Sequence, residues 1–194
     1  GFNVQFTPDL TNVSLSKALT LAAIEGVKTV SLVSSASELT VSQSDWLNPS
    51  ARSVIDKVLL STGSKPAMNI TGVEAGKVEA LLAEQGVVIK QLALQAGQSI
   101  ITSTSQWDGR WTELTTGTNP KVIGLAEANV TIAGVTTQAE VLRLASQSLV
   151  DKVYLSTASG FTIDTTKLTA ADAAALGKVF YAGGATSVIS SLVK

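Results

Sequence analysis

Asp56-Lys57-Val58-Leu59-Leu60-Ser61-Thr62 returns almost unchanged as Asp151-Lys152-Val153-Tyr154-Leu155-Ser156-Thr157. The two stretches lie 95 residues apart, close to three repeats of about 31. Each is followed at the same distance by a threonine (Thr71, Thr166) and then by an Ala/Leu-rich segment (Ala80-Leu81, Ala175-Leu176). A repeat this short cannot bury an apolar face alone, so it stacks on its neighbours. That decides the expected fold class: α/β, with strand-turn-strand-helix repeats of about 31 residues stacked as a short solenoid.

Working outward, a short alternating segment recurs as Leu39-Thr40-Val41, Met68-Asn69-Ile70, Ile100-Ile101-Thr102, Val130-Thr131-Ile132 and Phe161-Thr162-Ile163. A second apolar strand precedes each, around Val30, Val58, Leu92, Val122 and Val153. In most copies apolar residues alternate with Thr, Ser or Asn, the period of strands with one buried face. Helix starts should follow. Thr71-Gly72-Val73-Glu74 and Thr137-Gln138-Ala139-Glu140 have the capping-box pattern, Thr169-Ala170-Ala171-Asp172 is a close variant, and Asn48-Pro49 offers an N-cap before a first-turn proline. Gly26, Gly86 and Gly177 lie where C-terminal glycine caps belong.

The expected organisation is one repeat domain over 1–194. It has a partial repeat at 1–27, repeats near 28–57, 58–88, 89–120, 121–150 and 151–178, and a C-terminal partial repeat at 179–194. The core-facing set should include Leu39, Val41, Val58, Leu60, Met68, Ile70, Val130, Ile132, Val153, Leu155, Phe161 and Ile163, with Met68 stacked on Leu39. Two places break the rhythm. Residues 107–120, Trp107-Asp108-Gly109-Arg110-Trp111 through Gly117-Thr118-Asn119-Pro120, read as a loop rather than a helix. The first repeat is truncated, with a helix expected near 14–25.

Composition narrows the chemistry. Among 194 residues, 45% are hydrophobic and 15% charged, which excludes global disorder. A net charge of −1 leaves no electrostatic footprint for nucleic acid, and no apolar run reaches the roughly 18–20 residues of a membrane helix. With no Cys and no His there can be no disulfide, thiol nucleophile, Cys/His zinc site or Ser-His-Asp triad. The acids, including Asp45, Asp56, Asp108, Glu113 and Asp164, form no close cluster, so neither a catalytic pair nor a metal site is expected and the chain reads as a non-enzyme. Starting at Gly1 without a signal peptide, it reads as a processed chain or an excised domain.

The pattern Val-x-Ile-x-x-(Ser/Thr), a helix such as Leu168-Thr169-Ala170-Ala171-Asp172-Ala173-Ala174-Ala175-Leu176, and then Lys-Val-x-Leu-Ser resembles repeats of large secreted bacterial surface proteins. These are adhesins and surface-layer proteins, often exported by type I secretion, and the resemblance covers roughly residues 28–178. It implies an extracellular, cell-surface role that is structural or adhesive, with neighbouring modules or further copies of the chain as partners. Members of this class often carry glycine-rich calcium-binding nonapeptides; none occurs here, so the resemblance leaves calcium without a motif to hold it and no cofactor is expected.

Two groups of residues are singled out for binding. Trp46 and Trp107 occupy matching places in Ser-Gln-Ser-Asp-Trp and Ser-Thr-Ser-Gln-Trp, and Trp111 follows with Asp108 and Arg110. Exposed indoles beside such polar groups can stack on a sugar ring or anchor a protein, making a carbohydrate-binding module the alternative reading. Equally, Trp46 and Trp107 can cover the core. The second group is terminal. Phe2, Val4 and Phe6 alternate without charge, as do Val188 and Ile189 in an uncharged tail, the composition of strand edges that pair with another module. Folding back as caps is the competing fate of both ends. Asn12-Val13-Ser14, Asn69-Ile70-Thr71 and Asn129-Val130-Thr131 match the N-glycosylation sequon, which repetition alone explains for the last two.

Overall fold

The computed structural model describes residues 10–156, 164, 166 and 168–181. It is a mixed α/β protein whose strand pairings are parallel, and it divides into two compact units, Gly1–Leu94 and Gln95–Lys194. The expectations for Phe2, Val4, Phe6, Phe161, Ile163, Val188 and Ile189 lie outside the described residues.

In the N-terminal unit the order is α1 (Leu15–Ala22), β1 (Val30–Ser31), β2 (Glu38–Ser42), α2 (Gln43–Leu47), α3 (Pro49–Ile55), β3 (Val58–Leu59), β4 (Ala67–Val73), a 3-10 turn (Ala75–Lys77), α4 (Val78–Leu82) and β5 (Ile89–Leu94). Strand β1 pairs with β3, Val30 opposite Val58. The main sheet runs β2-β4-β5, with Leu39 opposite Met68, Val41 opposite Ile70, and Ile70 opposite Leu92. Leu39, Val41, Met68, Ile70 and Leu92 are all buried, so the period-2 pattern reads out as one inward apolar face.

The C-terminal unit contains β6 (Ser99–Ser103), α5 (Thr104–Gln106), a π-helical turn (Trp107–Trp111), α6 (Thr112–Thr115), β7 (Val122–Ile123), a 3-10 turn (Leu125–Glu127), β8 (Asn129–Val135), α7 (Gln138–Ala145), β9 (Lys152–Leu155), α8 (Ala170–Ala175), a 3-10 turn (Leu176–Lys178) and β10 (Val179–Phe180). Its sheet runs β6-β8-β9-β10, with Ile100 opposite Val130, Ile132 opposite Val153 and Val153 opposite Val179.

The two units are built to one plan. In each, an Ile-x-Gly-Val segment bends the central strand: register shifts fall at Ile70/Val73 and Ala133/Val135, around Gly72 (φ 65°) and Gly134 (φ 77°). The left-handed backbone there suits glycine, and the extra residue lets Val73 and Val135 turn back inward, both 0–1% exposed. Capping follows the sequence at Asn48, whose Oδ1 accepts from the Ser50 and Ala51 N–H groups, and at Thr137 and Thr169, which accept from Glu140 and Asp172.

Several expectations are corrected. Thr71 is no N-cap: β4 runs through it to Val73, because the glycine bulge prolongs the strand, and Glu74 takes the cap position without a side-chain bond. Residues 107–115 are helical rather than a loop. The Ser103–Gln106 capping box starts the helix, Trp107 and Leu114 bury one side of it, and Thr112 Oγ1 donates to the Trp107 carbonyl across the widened turn. Leu60 is half-buried, beyond the end of β3. Gly26 and Gly86 sit in turns three residues past their helix C-caps, and Gly177 lies inside a 3-10 turn. Finally, β4 and β8 have a strand of the other class (β5, β9) on their far side instead of the next alternating segment. At six and four residues, β5 and β9 are long enough to extend the main sheets, whereas β1 and β3 have two each.

Candidate functional site

Trp46 and Trp107 are both buried, at 3% and 4% exposure, so neither ring face is open to a ligand. The Ser42 and Ser103 hydroxyls cap the helical turns that carry them, accepting from the N–H groups of Asp45 and Gln106. Trp46 Nε1 then donates to Glu84 Oε2 at 2.8 Å, and Trp107 Nε1 donates to Gln147 Oε1 at 2.8 Å. Glu84 follows the C-cap of α4 and Gln147 follows the C-cap of α7, so one indole lock is built twice. Burial of a tryptophan requires a partner for its N–H, and the residue just past a neighbouring helix provides it. The Trp46 lock is tighter. Arg52 lies 3.5 Å over the Trp46 ring centroid and its Nη2 donates to Glu84 Oε1 at 2.7 Å.

Around Trp107 the polar side chains are engaged with each other. Arg143 holds Asp108 through two parallel bonds, Nη1 to Oδ1 at 2.9 Å and Nη2 to Oδ2 at 2.7 Å, and Asp108 in turn raises the Arg143 pKa above its ordinary value. Arg110 donates to Glu113 at 3.1 Å. Trp111 is half-buried. The structure therefore leaves Trp111 as the one indole of the three with an accessible surface. An open groove of about 420 Å³ is lined by Ser103, Ser105, Asp108, Gly134, Thr136 and Glu140. Its hydroxyls and carboxylates can hydrogen-bond a polar solute, but no aromatic ring lines it.

Elsewhere, Glu38 accepts from Lys90 and from Asn69 Nδ2, and these bonds, Lys90 first, hold its carboxyl below the usual range. The Asn69 sequon amide is thus engaged. Asn129 Nδ2 donates to the Gly97 carbonyl, and Asn12 is exposed. Among the described residues no group of three acidic side chains converges as a metal site would require, and no helix is long and apolar enough to cross a membrane. The sequence reading missed the lock partners Glu84, Gln147 and Arg52. The available signal was the equal placing of Glu84 and Gln147 after the two helices that follow the tryptophans.

Compared with known proteins, the chain matches no family model, no curated protein and no solved structure.

Proposed function

We propose that this chain is a non-enzymatic structural or adhesive module of a bacterial extracellular surface protein. On this reading its strand-turn-strand-helix repeats stack as a short solenoid and assemble through head-to-tail or terminal-strand contacts. One observation carries most of the weight. Alternating segments about one repeat apart lie parallel and in register, Leu39 on Met68 and Ile100 on Val130, as stacked coils require. The most conspicuous polar and aromatic residues serve to lock that stack: Trp46 Nε1 and Arg52 Nη2 donate to Glu84, and Trp107 Nε1 donates to Gln147.

Light scattering over a range of concentrations tests the assembly, with growth of open-ended particles expected. Antibody labelling of intact source cells tests the location, and labelling only after lysis would remove the surface reading. The carbohydrate-binding alternative retains the accessible Trp111 and the polar groove that Asp108 lines. A glycan array decides it, since signal lost on Trp111→Ala would establish that reading in place of the structural one.

A further inference from the structure

Among the described residues, strand β2 ends its sheet. The Ala67 N–H donates to the Ser37 carbonyl at 3.1 Å, so Ser37, Leu39 and Val41 address β4 with their main-chain groups. The alternate residues Glu38 and Thr40 direct their N–H and C=O the other way, where among the described residues no strand meets them. Beside that edge lies an open groove of about 510 Å³, lined by Leu15, Leu19, Ser37, Glu38, Thr40 and Asn69. Leu15 is 45% exposed there, and the Glu38 charge is already matched by Lys90. The lane is five residues long, has apolar surface at its side and offers backbone groups that no described strand pairs, which is what an added strand needs.

We propose that this edge accepts a strand from a second copy of the chain, residues 186–193, laid parallel along β2; the inference rests on the head-to-tail reading above. Spacing assigns the segment. From Val30 to Leu39 is nine residues, from Val58 to Met68 ten, and from Val122 to Val130 eight. Counting from Val179, where β10 begins, the same interval reaches Val188 in the uncharged run Thr186-Ser187-Val188-Ile189-Ser190-Ser191-Leu192-Val193. By its place in the repeat this run is the next alternating segment, and β2 is the first such segment in the described residues, so a parallel β2–β4-type ladder would join successive copies.

The test uses the full chain and two variants. Thr40→Pro removes the outward N–H while leaving the β2–β4 ladder donors in place, and Ile189→Lys charges the incoming strand. Light scattering against concentration and amide exchange at Thr40 are read together, with circular dichroism reporting the fold. Expected are assemblies in which Thr40 exchanges at least about tenfold more slowly than in dilute monomer, and both variants folded but monomeric. Assemblies that persist in Thr40→Pro would overturn this edge as the joint while leaving the head-to-tail reading intact. A monomer with a protected Thr40 would show the edge occupied from within the same chain, overturning the exchange between copies. A chain monomeric at every concentration with Thr40 unprotected would end both proposals.

Discussion

Glu84 serves two partners with one carboxylate, and the two bonds differ in weight. Its bond to Trp46 Nε1 satisfies a donor on a side chain only 3% exposed, whereas its ion pair with Arg52 joins groups 31% and 23% exposed. An unmade bond on a buried donor costs about 1–3 kcal/mol, and an ion pair that solvent still reaches is worth about 1 kcal/mol. Glu84→Gln, which reproduces the Gln147 arrangement of the other lock, should therefore be nearly neutral in urea denaturation, while Glu84→Ala should lose on the order of 1–3 kcal/mol. Equal losses for the two variants would show that the charge, not the indole bond, matters. A second prediction at this scale concerns pH. Lys90 lowers the Glu38 pKa, and the Thr169 backbone N–H lowers that of Asp172. Both carboxyls bind protons more weakly folded than unfolded, so their stabilisation is complete above the ordinary carboxylate pKa and is lost as pH falls through the folded one. The urea midpoint should hold from neutrality to about pH 5 and decline below it, less steeply in Asp172→Asn. A midpoint that rises on acidification would contradict this assignment.

The glycine bulges decide where the strands end. At Gly72 and Gly134 a Cβ would meet nothing within 4 Å, so substitution there probes backbone conformation alone. Gly72→Ala and Gly134→Ala should each cost about 1–2 kcal/mol from the left-handed φ, whereas Gly76→Ala, at a helical position equally free of neighbours, should not destabilise. Thermal melts of the three variants would check the contrast. These bulges also explain why Thr71 misled the sequence reading. Thr-Gly-Val-Glu matches a capping box, and nothing local reveals that Val73 still has a strand partner, Leu94. The same limit applied at residues 107–115, whose Gly109, Thr112 and Thr115 disfavour a helix until Trp107 and Leu114 are buried against the core. Elements specified by alternation, such as β2, β4 and β8, and by side-chain caps, such as α3, α7 and α8, were legible because their cause lies within a few residues. The candidate site was less so. The motif showed that Trp46 and Trp107 are equivalent, but their burial depends on Glu84 and Gln147, 38 and 40 residues away.

Taken over the whole chain, the period of about 31 that the sequence displays is doubled in the pairing. Ser42 corresponds to Ser103, Ile70 to Ile132, Gly72 to Gly134 and Glu84 to Gln147, each 61 to 63 residues on. The doubling was hidden because the near-identical stretches at Asp56 and Asp151 sit in different pairings: Val58 lies opposite Val30, while Val153 lies between Ile132 and Val179. Lys57 also shares a role with Lys178, which lies outside the matched stretches. Lys57 donates to the Ala22 carbonyl and Lys178 to those of Gln147 and Val150, each beyond or at a helix C-terminus. If the doubled plan also governs energetics, equivalent core positions should respond alike. Ile70 and Ile132 are both 0% exposed on the central strands of their sheets, flanked on each side by a buried partner. Ile70→Ala and Ile132→Ala should therefore each cost about 2–5 kcal/mol and agree within about 1 kcal/mol, as read from urea midpoints at constant slope. A large cost at one position and a small one at the other would mean that the two copies of the plan no longer bear equal shares of the fold.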